Sequence, residues 1–229
     1  MDRKTISSAF RASLPVMAGY LVLGLGFGVL LQDLGYSFLW ALLMSLTIYA
    51  GSMQYAALDL ISGGASLITC ALMTLMINAR HFFYGLSMLD RYQAAGRKKP
   101  YLIFSLTDET YSLVCAPAPE GTQPTGYYLW VSLLNQFYWV TGCTLGGLVG
   151  PFLPFDSTGM DFAMTALFVV IFVEQWLSTK NHLPALLGLG ITAGCLLLLG
   201  PRRFVIPAMV LITLALTALR GKAEVTRGA

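Results

Sequence analysis

Seven apolar stretches, each close to the length of a membrane span, divide this chain and leave only short polar loops between them. They cover residues 12–31, 38–58, 67–89, 127–152, 162–178, 183–199 and 204–219. A helix crosses the hydrocarbon core with about 20 predominantly apolar residues. The alternation of a barrel strand is absent, so only helices can satisfy the backbone in lipid. Composition agrees: 56% of the residues are hydrophobic and 11% charged, against about 25% charged in a soluble domain. The expected fold is an all-α integral membrane protein, a single transmembrane domain over residues 1–229 with about seven helices.

One further segment, residues 101–116, is shorter and carries Asp108 and Glu109 near its middle. It reads as a short extra span, a re-entrant piece or an interfacial helix whose cap is Asp108. The basic loops raise a topological conflict. Arg3, Lys4 and Arg11 mark one cytoplasmic end, and Arg91, Arg97, Lys98 and Lys99 mark another. Three full spans between them would put the two on opposite faces. Either the orientation rule fails locally, or a broken or re-entrant element resolves this, expected at Ile48-Tyr49-Ala50-Gly51-Ser52-Met53-Gln54, where Gly, Ser and Gln interrupt an apolar run.

Small residues recur four apart: Gly24 with Gly28, Gly142 with Gly146 and Gly150, and Gly190 with Gly194. This spacing lets helices approach closely. Pro15, Pro184 and Pro207 are expected near helix starts, where proline is tolerated. A faint echo sets residues 41–55 over 162–176 and brings the two glycine-rich helices into register. It suggests two repeats, about 10–90 and 130–220, an arrangement common in secondary transporters.

Four polar groupings stand inside this apolar chain. Asn78, Arg80, His81 and Tyr84 close the third stretch. An arginine at the bilayer centre costs roughly 2.5–3.5 kcal/mol, and its planar fork suits a carboxylate. An unperturbed imidazole titrates near neutral pH, so a histidine such as His81 can carry protons there. The alternative reading is a helix end that snorkels to the interface. Asp108, Glu109 and Thr110 form the second grouping. Adjacent helical residues point about 100° apart, so the two carboxylates should serve different partners. Glu174 and Gln175 form the third, with Trp176 beside them. Gly51, Ser52 and Gln54 form the fourth. These twelve residues are the candidates for substrate binding or coupling.

Several functions are excluded. Net charge is only +3, and the basic residues sit in short loop clusters, which excludes a nucleic-acid face. Cys70, Cys115, Cys143 and Cys195 form no Cys-x-x-Cys pair, so no metal or cofactor is expected. His-Glu-x-x-His, Gly-x-Gly-Asp and a phosphate-binding loop are missing. The chain is therefore read as a non-enzyme.

The stretches Ala50-Gly51-Ser52-Met53-Gln54, Asn78-Ala79-Arg80-His81-Phe82-Phe83-Tyr84-Gly85, Thr107-Asp108-Glu109-Thr110-Tyr111 and Glu174-Gln175-Trp176 occur in this order. Together they resemble the AzlC/YgaZ family, the large subunits of bacterial branched-chain amino acid exporters. The likeness runs from about residue 9 to residue 219. One departure is Met53, at the position before the glutamine that is small or apolar in the family. The resemblance implies a multi-pass protein of the bacterial cytoplasmic (inner) membrane. It also implies export of valine, leucine, isoleucine and, as an extension, methionine, with a small AzlD/YgaH-type membrane subunit as partner. The expected mechanism is secondary active export with the proton as the favoured coupling ion. The alternative is a non-catalytic membrane scaffold or a permease subunit for another small substrate.

Overall fold

The computed structural model describes residues 3–152, 181–200 and 204–225, together with Val169, Phe172, Val173, Trp176 and Leu177. All its regular elements are helical among the described residues. The first compact unit, Met1–Thr165, opens with α1 (Arg3–Asp33), α2 (Phe38–Thr47), α3 (Gly51–Ser62) and α4 (Leu67–Ser87). A 3-10 turn at Gln93–Lys98 leads into α5 (Lys99–Phe104) and α6 (Asp108–Val114), and α7 (Pro124–Val149) follows. In the second unit, Ala166–Ala229, α8 (Leu183–Leu199) packs against α9 (Val205–Val225).

The spine of the first unit is the pair α1 and α7. At Gly28 an added methyl would overlap the backbone of Cys143 and Gly147, and at Gly146 it would overlap the carbonyl of Leu25. The two backbones touch, which only residues without a Cβ allow. Phe27, Leu31, Ala41, Tyr55, Tyr138, Trp139 and Cys143 pack around this contact. A second buried cluster gathers Tyr92, Leu102, Leu106, Val114, Tyr127, Tyr128 and Val131.

Two sequence expectations change here. Gly190 and Gly194 have no close neighbour at the Cβ position among the described residues, so their spacing marks no tight helix contact there. Pro15 lies inside α1 rather than near its start, because the helix begins at Arg3. Polar Arg3, Lys4 and Arg11 hid that extension from an apolar-run reading.

The outer surface is that of a membrane protein. Leu67, Ile68, Leu75, Phe82 and Phe83 of α4 are 64–87% exposed, a dense apolar face that lipid accepts and water does not. At 1.5 Å per residue α1 runs about 46 Å, longer than the roughly 30 Å hydrocarbon core. Among the described residues, α1 and α4 are the helices long and apolar enough to cross a membrane.

The stretch at 38–58 is not one helix. It is interrupted between Thr47 and Gly51, within the segment the sequence marked. Residues 99–114 are likewise two helices, parted at Ser105–Thr107.

Candidate functional site

The two interruptions face each other. Tyr49 sits in the first with a left-handed backbone, φ +42°. That conformation costs a non-glycine residue on the order of 1–3 kcal/mol, and such strain gathers at functional sites. Its ring lies 6.2 Å from that of Phe104, the last residue of α5. Gly51 then starts α3 directly beneath Trp139, with 3.1 Å between a Cβ at that position and the indole edge. A larger residue would push the indole away.

The two new helix starts differ in charge. At α6, Thr107 is the cap: its hydroxyl accepts from the Thr110 N–H at 3.2 Å. The alternative of Asp108 as the cap does not hold: Asp108 is the first residue of the helix, with Glu109 after it, and both complement the helix dipole. At α3 the cap residue is Ala50, which has no side chain to offer, and no acidic residue occupies the first turn. The N–H groups of that turn therefore keep their positive end unneutralised.

Arg80 joins the two starts. From α4, its Nη1 lies 2.8 Å from Asp108 Oδ2, and its Nη2 donates to Ser52 Oγ in the first turn of α3. Tyr84, one turn along α4, donates to Asp108 Oδ1 at 2.7 Å. Its ring stacks on Tyr111 with centroids 4.4 Å apart, 11° from parallel. His81 tilts against the same Tyr84 ring at 5.9 Å. Arg80 and Asp108 are 31% and 22% exposed, so the pair is partly sheltered rather than a freely solvated surface bridge.

Glu109 takes different partners from its neighbour, as the helical angle requires. Its Oε2 accepts from Tyr20 Oη of α1 at 2.7 Å. The same Tyr20 oxygen lies 2.6 Å from Thr107 Oγ1, which lies 3.0 Å from Thr110 Oγ1. Asn135 Nδ2 of α7 donates to Thr110 Oγ1 at 3.0 Å. One turn further along α7, Trp139 Nε1 donates to Gln54 Oε1 at 2.8 Å. Among the described residues, the buried atoms Asn78 Oδ1, Arg80 Nε and Asn135 Oδ1 have no hydrogen-bond partner, while Tyr49 Oη faces Thr110 and Tyr20. Gln54 and Asn135 are fully buried. Buried polar groups are normally satisfied, which makes these atoms candidates for contact with water or a polar ligand.

The structure thus gathers Gly51, Ser52, Gln54, Arg80, His81, Tyr84, Asp108, Glu109 and Thr110 around two helix interruptions, and Asn78 lies on α4 two residues before Arg80. Glu174 and Gln175 lie outside the described residues. Sequence reasoning missed Tyr20, Asn135 and Trp139 as members, and it marked the stretches holding Tyr49 and Thr107 without naming these two as candidates. Asn135 carried a usable signal, since Asn135-Gln136 is a polar pair in the middle of an apolar stretch. Tyr20 carried none.

Residues 15–153 match the family model described as AzlC protein. The chain is 44% identical to the branched-chain amino acid transport protein AzlC of Bacillus subtilis (strain 168), over 96% of this chain and 88% of that protein. It is also 44% identical to a membrane protein of Helicobacter pylori, over 96% of this chain and 97% of the relative. The inner membrane protein YgaZ of Escherichia coli K12 is 28% identical over 72% of this chain and 71% of its own length. No solved structure matches the chain.

Proposed function

Because the chain belongs to the AzlC family, we propose that it transports branched-chain amino acids across the bacterial cytoplasmic membrane, as a secondary active exporter. The carrying observation is the Arg80 link between Ser52 and Asp108. One side chain ties two interrupted helices together beside an uncapped helix start. Half-helix ends that meet inside a membrane protein are where transporters bind small charged substrates. The 44%-identical relative is named for branched-chain amino acid transport, which supports the substrate class.

A zwitterionic amino acid needs a donor-rich site for its carboxylate and acceptors for its ammonium. The first turn of α3 at Gly51-Ser52-Met53, with Arg80 beside it, supplies the donors. The apolar side chain needs only an apolar wall. Such walls discriminate softly, about 1–3 kcal/mol per methylene, so valine, leucine and isoleucine share the path. Arg80 has two roles in this reading: it clasps the two interruptions and lends positive charge to the carboxylate.

Secondary transport is favoured because the sequence has no phosphate-binding loop. Proton coupling is favoured by the titratable groups at the centre. A small AzlD/YgaH-type subunit is the proposed partner, on the family resemblance.

The test is leucine flux in proteoliposomes containing the chain with its small subunit. An imposed pH gradient should drive flux without ATP. Arg80→Ala should remove the flux while the protein still inserts and binds the small subunit. Wild-type flux from that variant overturns the site, and a requirement for ATP overturns secondary transport. A complex that forms but never transports favours the scaffold reading.

A further inference from the structure

The two interruptions are the tips of two hairpins that come from opposite ends of the first unit. α1 and α7 run side by side in one direction. Thr5 Oγ1 accepts from the Gln123 N–H at one end, and Gly28 meets Gly147 at the other. The pair therefore measures depth. α2 starts at the far end, where a Cβ on Gly147 would lie 2.8 Å from Phe38 and 3.4 Å from Ala41. α3 starts midway, under Trp139, and leads back to the same end. Gln54 is held by Trp139, and then Tyr55 donates to the Leu23 carbonyl and packs on Phe27. The order along α4 agrees: Ser52 meets Arg80, and Ala57 packs near Ile77, closer to the start of α4.

α5 and α6 repeat this from the other end. Lys99 Nζ donates to the Leu89 carbonyl, Leu102 packs with Ala9 and Tyr92, and Ile103 lies at Gly85. α6 then returns. Asp108 meets Arg80 and Tyr84, Tyr111 accepts from Ser87, and the Val114 carbonyl accepts from Arg91. Both hairpins turn near the middle of α7, at Asn135 and Trp139.

No leg is long enough to cross a membrane. α2, α3, α5 and α6 have 10, 12, 6 and 7 residues. At 1.5 Å per residue they run about 15, 18, 9 and 10 Å, against a core of roughly 30 Å. The charges give the ends a sign. Ala9, between Arg3-Lys4 and Arg11, packs with Met88, Tyr92 and Ala95, beside Arg91, Arg97, Lys98 and Lys99. Both basic clusters thus lie at one end, which the positive-inside bias makes cytoplasmic. The conflict raised by three full spans disappears when α2 and α3 turn back.

We propose that α2–α3 is a re-entrant hairpin from the external face, that α5–α6 is one from the cytoplasmic face, and that the Tyr49–Phe104 contact at their tips is the closed gate of the transport path. The hairpins pack in separate apolar clusters, α2–α3 with Phe27 and Trp139, and α5–α6 with Tyr92 and Tyr128. Tyr49 and Phe104 meet ring to ring, 6.2 Å between centroids, and Phe104 is 47% exposed. The tips can part there without opening either cluster. Arg80 bonds to both hairpins and sits where the parting would expose it to either side. The gate rests on the transport reading; the hairpin topology does not.

The test has two arms on the full chain with its native cysteines replaced by alanine. The first labels single cysteines with a membrane-impermeant maleimide in right-side-out and inverted vesicles. The positions are exposed: Ser37→Cys and Ser62→Cys at the two ends of α2–α3, and Gln93→Cys and a retained Cys115 at the two ends of α5–α6. The first two should label from the external side and the last two from the cytoplasmic side. Members of a pair labelled from different faces overturn that hairpin. All four labelled from one face overturn the opposition.

The second arm measures leucine flux in proteoliposomes with the small subunit. A short reducible bis-thiosulfonate should link Tyr49→Cys to Phe104→Cys, stop flux, and release it on reduction. Failure to link overturns the tip contact, and undiminished flux from the linked protein overturns the gate. Phe104→Ala removes one ring from the contact and should leak leucine without a pH gradient. A variant as tight as wild type overturns the gate too. If wild type moves no leucine while the labelling holds, the transport reading and its gate fail and the hairpins stand.

Discussion

Arg80 Nη1 and Asp108 Oδ2 lie 2.8 Å apart and join a continuous helix, α4, to the start of an interrupted one, α6. The second Arg80 nitrogen reaches Ser52 at the start of α3. A single guanidinium thus holds the ends of two interrupted helices. Its planar fork makes this possible, since two donors on one rigid group can face different acceptors.

Asp108→Asn should destabilise the protein more than the double variant Arg80→Gln/Asp108→Asn. The single change leaves a sheltered cation without its counter-charge, while the double change removes both charges. The pair is partly exposed, so the difference should be about 1 kcal/mol. Thermal unfolding of all four proteins in detergent measures it. A double variant less stable than wild type by the full sum of the two single losses removes the coupling.

Tyr84→Phe separates the two jobs of that side chain. The hydrogen bond to Asp108 goes, while the stack on Tyr111 stays. The expected loss is about 1 kcal/mol of stability. Tyr84→Ala loses the stack as well, by a further 0.5–1.5 kcal/mol or so, beyond the area it uncovers. Equal losses from both would show the hydroxyl alone to matter.

Gly28→Val and Gly146→Val should abolish folded protein, because the new side chain meets backbone rather than a movable side chain. Gly190→Val should be tolerated, since no described neighbour approaches that position. Monodisperse yield on size exclusion reads the contrast. A normal yield from Gly28→Val contradicts the close approach of α1 and α7.

Thr107→Val removes the cap of α6 and the hydroxyl link from Tyr20 to Thr110 together. The cap is worth about 1 kcal/mol, and Thr107→Ser should restore both functions. A thermal midpoint for Thr107→Ser no higher than that of Thr107→Val would overturn the cap assignment.

Much of this was legible in the chain. The interruption at Gly51 could be read because glycine, serine and glutamine are poor occupants of a lipid-facing helix. The α5–α6 interruption could not be read as such. Ser105 and Thr107 are ordinary residues in membrane helices, and the cap works only because Thr107 turns its hydroxyl onto the Thr110 N–H. The helical angle predicted that Asp108 and Glu109 would part company. It could not say that α4 would claim one and α1 the other. Tyr20 looked like any interfacial aromatic, since its two hydroxyl contacts come from residues far along the chain.

The sequence by itself determined the solvent and the class of fold. Long apolar stretches in lipid leave helices as the only way to satisfy the backbone, and four short polar stretches named the family. What the tertiary structure alone decided is the pairing of those polar groups. A buried polar atom is defined by what lies within hydrogen-bond distance. That depends on α1 and α7 meeting through glycine and bringing Tyr20 and Asn135 to the two ends of one hydroxyl chain.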